Sequence, residues 1–61
     1  MKSNLKQLRN LYGITRPELS RALQISTIGI NAIENDRFDT SVPEARKISD
    51  FFNLSVDEVF Q

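Results

Sequence analysis

The chain contains no cysteine, no histidine and no tryptophan, only two glycines and two prolines, and no apolar run near the roughly 18 to 20 residues that a membrane-spanning helix requires. Each absence excludes something. Without cysteine there is no disulfide staple, and without cysteine or histidine there is neither a zinc finger nor a Cys/His or Ser/His catalytic set. Stability must therefore come from packing. The N-terminus lacks the apolar stretch of a signal peptide, which gives a cytoplasmic location as the expectation. At 61 residues the chain makes a single domain, 1–61. A domain of that size buries only about 60% of its unfolded surface and keeps a margin of a few kcal/mol, which favours dimerisation.

Charge is balanced overall, with eight basic and eight acidic side chains. Neutrality argues against a binder that works through bulk positive charge. The distribution is uneven, however. Residues 1–30 carry five basic side chains against Glu18 alone, a net of +4; residues 31–61 carry three basic against seven acidic, a net of −4. One end suits an anionic polymer and the other turns away from it, unless the asymmetry is chance scatter over a small surface.

Apolar residues recur at three- and four-residue spacing with no alternating stretch, so the chain reads as all-helical. The starts are marked. Thr15-Arg16-Pro17-Glu18, Ser41-Val42-Pro43-Glu44 and Ser55-Val56-Asp57-Glu58 each have the capping-box pattern, in which hydroxyl and carboxylate satisfy each other's free backbone amides. Ile14 with Leu19, Ile25 with Ile30 and Leu54 with Val59 fit hydrophobic staples, and both prolines fall in first turns. Gly13, Gln24, Asn35-Asp36 and Asn53 stand at exits, where a left-handed residue is usual. The expected helices are about 3–12, 16–23, 27–35, 42–52 and 56–60. Leu5, Leu8, Leu19, Leu23, Ile30, Ile33, Ala45, Ile48, Phe52 and Val59 face inward, with Ile14, Ile25 and Leu54 as corner residues. The three-residue link Gln24-Ile25-Ser26 between the second and third helices has the geometry of a helix-turn-helix unit.

The stretch Thr15 to Arg37, "TRPELSRALQISTIGINAIENDR", resembles the helix-turn-helix of phage repressor and Cro type regulators, the xenobiotic-response-element family. "LKQLRNLYGIT" before it and "SVPEARKISDFFNLSVDEVF" after it resemble the family's flanks, so the likeness covers nearly the whole chain. It implies an all-α, compact five-helix bundle around a central helix-turn-helix, a lambda-repressor-like DNA-binding domain that dimerises on DNA. The chain departs from the pattern at Arg16, where the family favours Gln; at Ser20, where it favours Ala; and at Gln24 and Asp36, where it favours Gly. It also departs at Thr27-Ile28-Gly29, where the family favours an Arg-Gln-Thr-like trio. Relatives read bases at that trio, so the sequence preference is open.

The third helix is expected to carry function. With Ile30 and Ile33 inward, its outer face is Ile28, Asn31, Ala32 and Asn35, led by Thr27. The amide of Asn31 suits adenine, and Ile28 and the Thr27 methyl suit thymine methyl groups in the major groove. The plainer account of Ile28 is a lone exposed aliphatic side chain or a protein-contact surface. Gly29 projects toward the flank of the buried stripe near the second helix, which suits close packing; the rival role is to let a phosphate approach. By resemblance, phosphate contacts fall to Thr15, Arg16, Ser26, Asn35 and Arg37, aided by free amides at helix starts. Asp36 and Asp39 stand close by and repel phosphate. Arg9 and Glu34 match a family ion pair joining the first helix to the end of the third, and Arg46 with Asp50 is spaced as a surface pair. Phe51, Val56 and Phe60 exceed what the core needs; they are either extra core packing or, as the likeness to small regulators that dimerise through that end implies, the expected dimer patch, which sets two recognition helices ~34 Å apart. Tyr12 and Phe38 are expected at the core's edge.

Asp57-Glu58 is the only adjacent carboxylate pair, and its capping box accounts for it, so no enzyme is expected. No cofactor, metal, small-molecule ligand or membrane partner is expected either. The reading is a homodimeric regulator of transcription on double-stranded DNA, a repressor of bacterial or phage type on a pseudo-palindromic operator. Its rival is a helix-turn-helix scaffold used for protein contact, an antirepressor or antitoxin-like module.

Overall fold

Four helix starts in the computed structural model, which describes residues 2–37 and 40–60, are built on a hydroxyl. The described residues form α1 (Leu5–Leu11), α2 (Arg16–Leu23), α3 (Thr27–Glu34), α4 (Val42–Phe52) and α5 (Val56–Val59). Thr15, Ser26, Ser41 and Ser55 accept from the backbone N–H three residues on. Thr15 and Ser55 complete the reciprocal capping box. At Ser41 the box is half formed, because the Glu44 carboxylate accepts from the Ser41 hydroxyl and not from its backbone. The exits at Gly13, Gln24, Asp36 and Asn53 all have left-handed backbone, with φ of 67°, 57°, 55° and 57°. Gln24 adopts it without a glycine's freedom.

The two ends of the chain differ from expectation for one reason. Ser3 pairs with Phe60 in an antiparallel bridge, and the Asn4 N–H donates to the Val59 carbonyl at 2.8 Å. Extended backbone at residue 3 cannot be helical, so α1 starts at Leu5, and Phe60 leaves α5 at φ −122°, ψ 137°. The bridge also turns the Phe60 ring into the core. Leu5, Leu19, Leu23, Ile25, Ile30, Ile33, Ala45, Ile48, Phe52, Val59 and Phe60 make that core, with Leu8, Ile14, Leu54 and Val56 packed against it. Each large side chain among them contributes about 1.5–3 kcal/mol. Tyr12 lies edge-on to Phe52, with ring centroids 5.2 Å apart, at the rim where it was expected. Phe38 and Asp39 lie outside the described residues. Among the described residues, no helix is long and apolar enough to cross a membrane.

Gly29 is a close-approach glycine, but its neighbour is not α2. A Cβ there would lie 2.9 Å from Cγ2 of Ile25 and 3.3 Å from the Ser26 hydroxyl. The helix start folds back on its own turn. Because Cγ2 of Ile25 is a branch methyl on a stiff, buried side chain, it cannot swing aside freely. Gly29→Ala should therefore lower the melting temperature by several degrees: overpacking of about 1–3 kcal/mol outweighs a propensity gain of about 1 kcal/mol. A rise in melting temperature would show that the contact relaxes at little cost.

Glu18 and Glu58 have pKa values below the ordinary glutamate value, first because the Thr15 and Ser55 backbone N–H groups donate to their carboxylates and next because the hydroxyls do; Arg21 adds to the effect at Glu18. A folded pKa lower than the unfolded one stabilises the fold above the unfolded value, and that stability is lost as pH falls through the folded value. Urea midpoints of the wild-type chain should hold above about pH 5 and decline below about pH 4. The variant combining Glu18→Gln and Glu58→Gln should start lower and decline less over the same interval. Parallel declines would remove these two groups from the acid limb.

Candidate nucleic-acid interface

The turn between α2 and α3 is closed by bonds from two directions. The Ile25 N–H donates to the Ser20 carbonyl at 3.2 Å, and the Ser20 hydroxyl donates to the Ile25 carbonyl. Ser20 thus grips both polar groups of a buried residue, a role not legible from its departure from the family's Ala. Lys47 of α4 adds a bond from its Nζ to the Leu23 carbonyl, 2.9 Å, at the end of α2. The Ser20 bonds thus close the turn from which α3 starts, and the Lys47 bond ties the end of α2 to α4.

Beyond the turn, Thr27, Ile28, Asn31 and Asn35 are exposed and Ala32 is half-buried, while Ile30, Ile33 and Glu34 are buried. Ile28 is 81% exposed. Ile28, Asn31 and Asn35 follow helical spacing and share one outward face. At the start of this helix the Ser26 hydroxyl accepts from the Gly29 N–H at 3.0 Å, leaving the first-turn amides of Thr27 and Ile28 without intrahelical acceptors. The start of α2 is different. Pro17 has no N–H, the Thr15 N–H donates to Glu18 Oε1 at 3.0 Å, and the Glu18 N–H donates to Thr15 Oγ1. The start of α2 is thus partly filled by an internal carboxylate and keeps only the Arg16 N–H open, whereas α3 keeps the amides of both Thr27 and Ile28.

The expected phosphate contacts also divide. Arg37 and Ser26 are exposed. The Thr15 hydroxyl is engaged with Glu18, donating to Oε1 at 2.8 Å. Asn35 is directed inward along its own helix, its Nδ2 donating to the Asn31 carbonyl at 2.8 Å and to Asn31 Oδ1 at 2.6 Å. Its amide donor is therefore engaged within α3 and not held out for a phosphate. Asp36, expected to repel phosphate, accepts from the Ser3 N–H at 2.8 Å and fastens the N-terminal segment to the end of α3.

Glu34 joins three helices. Its Oε2 lies 2.6 Å from Nε of Arg9, and its Oε1 lies 2.9 Å from Nε of Arg16. Arg9 Nη1 also donates to the Ile14 carbonyl at 2.9 Å. The Glu34 side chain is fully buried, Arg9 nearly so, and Arg16 is 40% exposed. The Arg9–Glu34 pair was legible in the sequence. Arg16 was not, having been assigned to phosphate; it lies two residues after Ile14, whose carbonyl Arg9 binds, and only the fold brings it to Glu34.

At the opposite end, the expected dimer patch is corrected at one residue. Phe60 is 3% exposed, turned into its own core by the bridge to Ser3, and is out of reach of a partner. Phe51 remains 42% exposed, edge-on to Phe52, and Val56 is half-buried. Arg46 and Asp50 form no ion pair with each other among the described residues, where no cluster of metal-ligating side chains is found either.

Breaking a buried ion pair strands the remaining charge, at about 3–5 kcal/mol, whereas a half-exposed arginine contributes about 1 kcal/mol or less. Urea denaturation should therefore rank the variants in one order: Glu34→Ala most destabilised, Arg9→Ala next, Arg16→Ala within about 1 kcal/mol of wild type. Equal losses from the two arginine variants would contradict the unequal burial on which this ranking rests.

Comparison with known proteins agrees with this geometry. Residues 5–59 match the family described as helix-turn-helix. An uncharacterized HTH-type transcriptional regulator of Methanocaldococcus jannaschii is 37% identical over 60 residues, covering 98% of this chain and 91% of the relative. One from Archaeoglobus fulgidus is 27% identical over 60 residues, or 98% and 86% of the two chains. The HTH-type transcriptional regulator PrpR of Mycobacterium tuberculosis is 36% identical over 53 residues, 87% of this chain but 11% of that much longer protein. With five helices, a closed turn and an outward third helix in the matched region, the chain belongs to the helix-turn-helix family of Cro and phage repressor type regulators.

Proposed function

We propose that the chain is a sequence-specific regulator of transcription that binds double-stranded DNA, places α3 in the major groove and acts as a homodimeric repressor on a pseudo-palindromic operator. The observation that carries this reading is Ile28, 81% exposed on the first turn of a helix that starts from a closed turn and ends on the Glu34 ion pairs. Covering it with a thymine methyl removes apolar surface from water, and Thr27 and Asn31 flank it with groups suited to base edges. Arg37, the outer part of Arg16 and the Thr27 and Ile28 amides supply the phosphate grip. Phe51 and the half-buried Val56 are the apolar side chains at the end of the chain assigned to the second copy. The relatives' names support a regulatory role.

The same bare isoleucine also suits the rival, a scaffold that meets a protein partner, and salt dependence separates the two. Phosphate-driven binding weakens steeply as salt displaces released counterions; an apolar protein contact responds little. Selection from random duplex DNA should enrich an inverted repeat, and the Asn31→Ala variant should lose its signal. Arg37→Ala should reduce the slope of log affinity against log salt by about 1 while leaving the enriched sequence unchanged. No enrichment at low salt with folded protein would favour the protein-contact reading.

A further inference from the structure

We propose that Asn35 is a positioning residue that fixes the amide of Asn31, so that α3 presents two N–H donors at this position and the half-site base facing it is guanine, not adenine. This rests on the reading of α3 as the base-reading helix.

The two ends of an asparagine amide differ only in hydrogen bonding, and here the bonding settles which is which. Asn35 Nδ2 lies 2.8 Å from the main-chain oxygen of Asn31, a group that only accepts. The Asn35 atom at that point must be the nitrogen. The same nitrogen lies 2.6 Å from the Asn31 side chain, so the Asn31 atom facing it must be the oxygen. The backbone carbonyl thus fixes the first amide, and the first amide fixes the second. Asn31 Oδ1 faces Asn35 and accepts from it, while Asn31 Nδ2 has no acceptor among the described residues and the residue is exposed.

The major-groove edges respond differently to that arrangement. Adenine offers one donor and one acceptor, and an asparagine matches it only by turning its oxygen and nitrogen together toward the base. To pair with adenine, Oδ1 must accept a second bond on its remaining lone pair while still facing Asn35, so one orientation of the amide plane has to serve both partners. Guanine offers two acceptors, O6 and N7, to the two hydrogens on Nδ2 and leaves the bond to Asn35 intact. Thymine has a single acceptor and cytosine only a donor, so both match less well. Both asparagines are exposed and neither contributes to the core, so they can be changed without unfolding the chain.

Substitution at Asn35 tests the idea without touching the reading residue. Asn35→Ala frees the amide to turn, and Asn35→Asp replaces the donor with an acceptor that draws Asn31 Nδ2 inward and leaves the oxygen outward. Selection from random duplex DNA should be run on the wild type, on both Asn35 variants and on Asn31→Ala, with thermal melts to confirm folding. The position to be read is the one whose preference disappears in Asn31→Ala. Wild type should prefer guanine there. Asn35→Ala should move the guanine-to-adenine ratio toward adenine by about three- to tenfold, the weight of one hydrogen bond, and Asn35→Asp should disfavour guanine further. Adenine at that position in wild type, an unchanged ratio in Asn35→Ala, or no position that depends on Asn31 overturns the inference and leaves DNA binding standing. No enriched sequence with wild type overturns both.

Discussion

A carboxylate with no access to water sits at the end of the helix proposed to meet DNA, and the positions of three helices depend on how it is compensated. Removing such a charge from water costs several kcal/mol, and the C-terminal end of a helix dipole adds repulsion. Two guanidinium groups offset both. Arg9 comes from α1 and Arg16 from the first turn of α2, and each binds a different oxygen of Glu34. The three helices are tied by geometry-specific bonds as well as by contact between apolar faces, which tolerate sliding.

This matters because α3 has eight residues, too few to be stable alone. It is held at both ends: by the ion triad at Glu34, and at its start by the Ser26 cap, the buried Ile25 and the bonds around Ser20. Rigid ends permit an apolar residue on the first turn of the open face, because the helix has no freedom to roll Ile28 into the core. The absent side chain at Gly29 serves the same end, letting the helix start lie against its own turn.

The charges have a consequence for recognition. Arg16 is shared with Glu34 and the start of α2 is partly filled by Glu18, so fewer cationic groups face outward than the basic residues of the first half suggest. On the proposed reading, the grip on phosphate then falls more heavily on Arg37 and on the amides at the start of α3. A surface of this kind depends more on matched apolar and amide contacts than on bulk attraction, in keeping with a chain whose net charge is zero.

Local chemistry was enough to locate the helices. Hydroxyl caps, first-turn prolines and left-handed exits act within a few residues, so Thr15, Ser55, Gln24 and Asn53 marked boundaries that the structure keeps within a residue or two. The inward faces followed from spacing, and the Arg9–Glu34 pair from likeness to a family. Long-range pairing was not legible. The bridge between Ser3 and Phe60 shortened both end helices and drew Phe60 inside, and no pattern within either segment signals it. Arg16 looked like a free surface group because its partner Glu34, 18 residues away, is brought to it only by the fold, whereas the Asn31–Asn35 pair is local, at the four-residue spacing of one helix face, and was overlooked. What the sequence determined by itself was each helix and its buried stripe, since these depend on neighbours three and four positions away. What only the tertiary structure decided was which polar groups remain free, since a hydrogen bond or an ion pair belongs to whichever partner the fold brings within 3 Å or so.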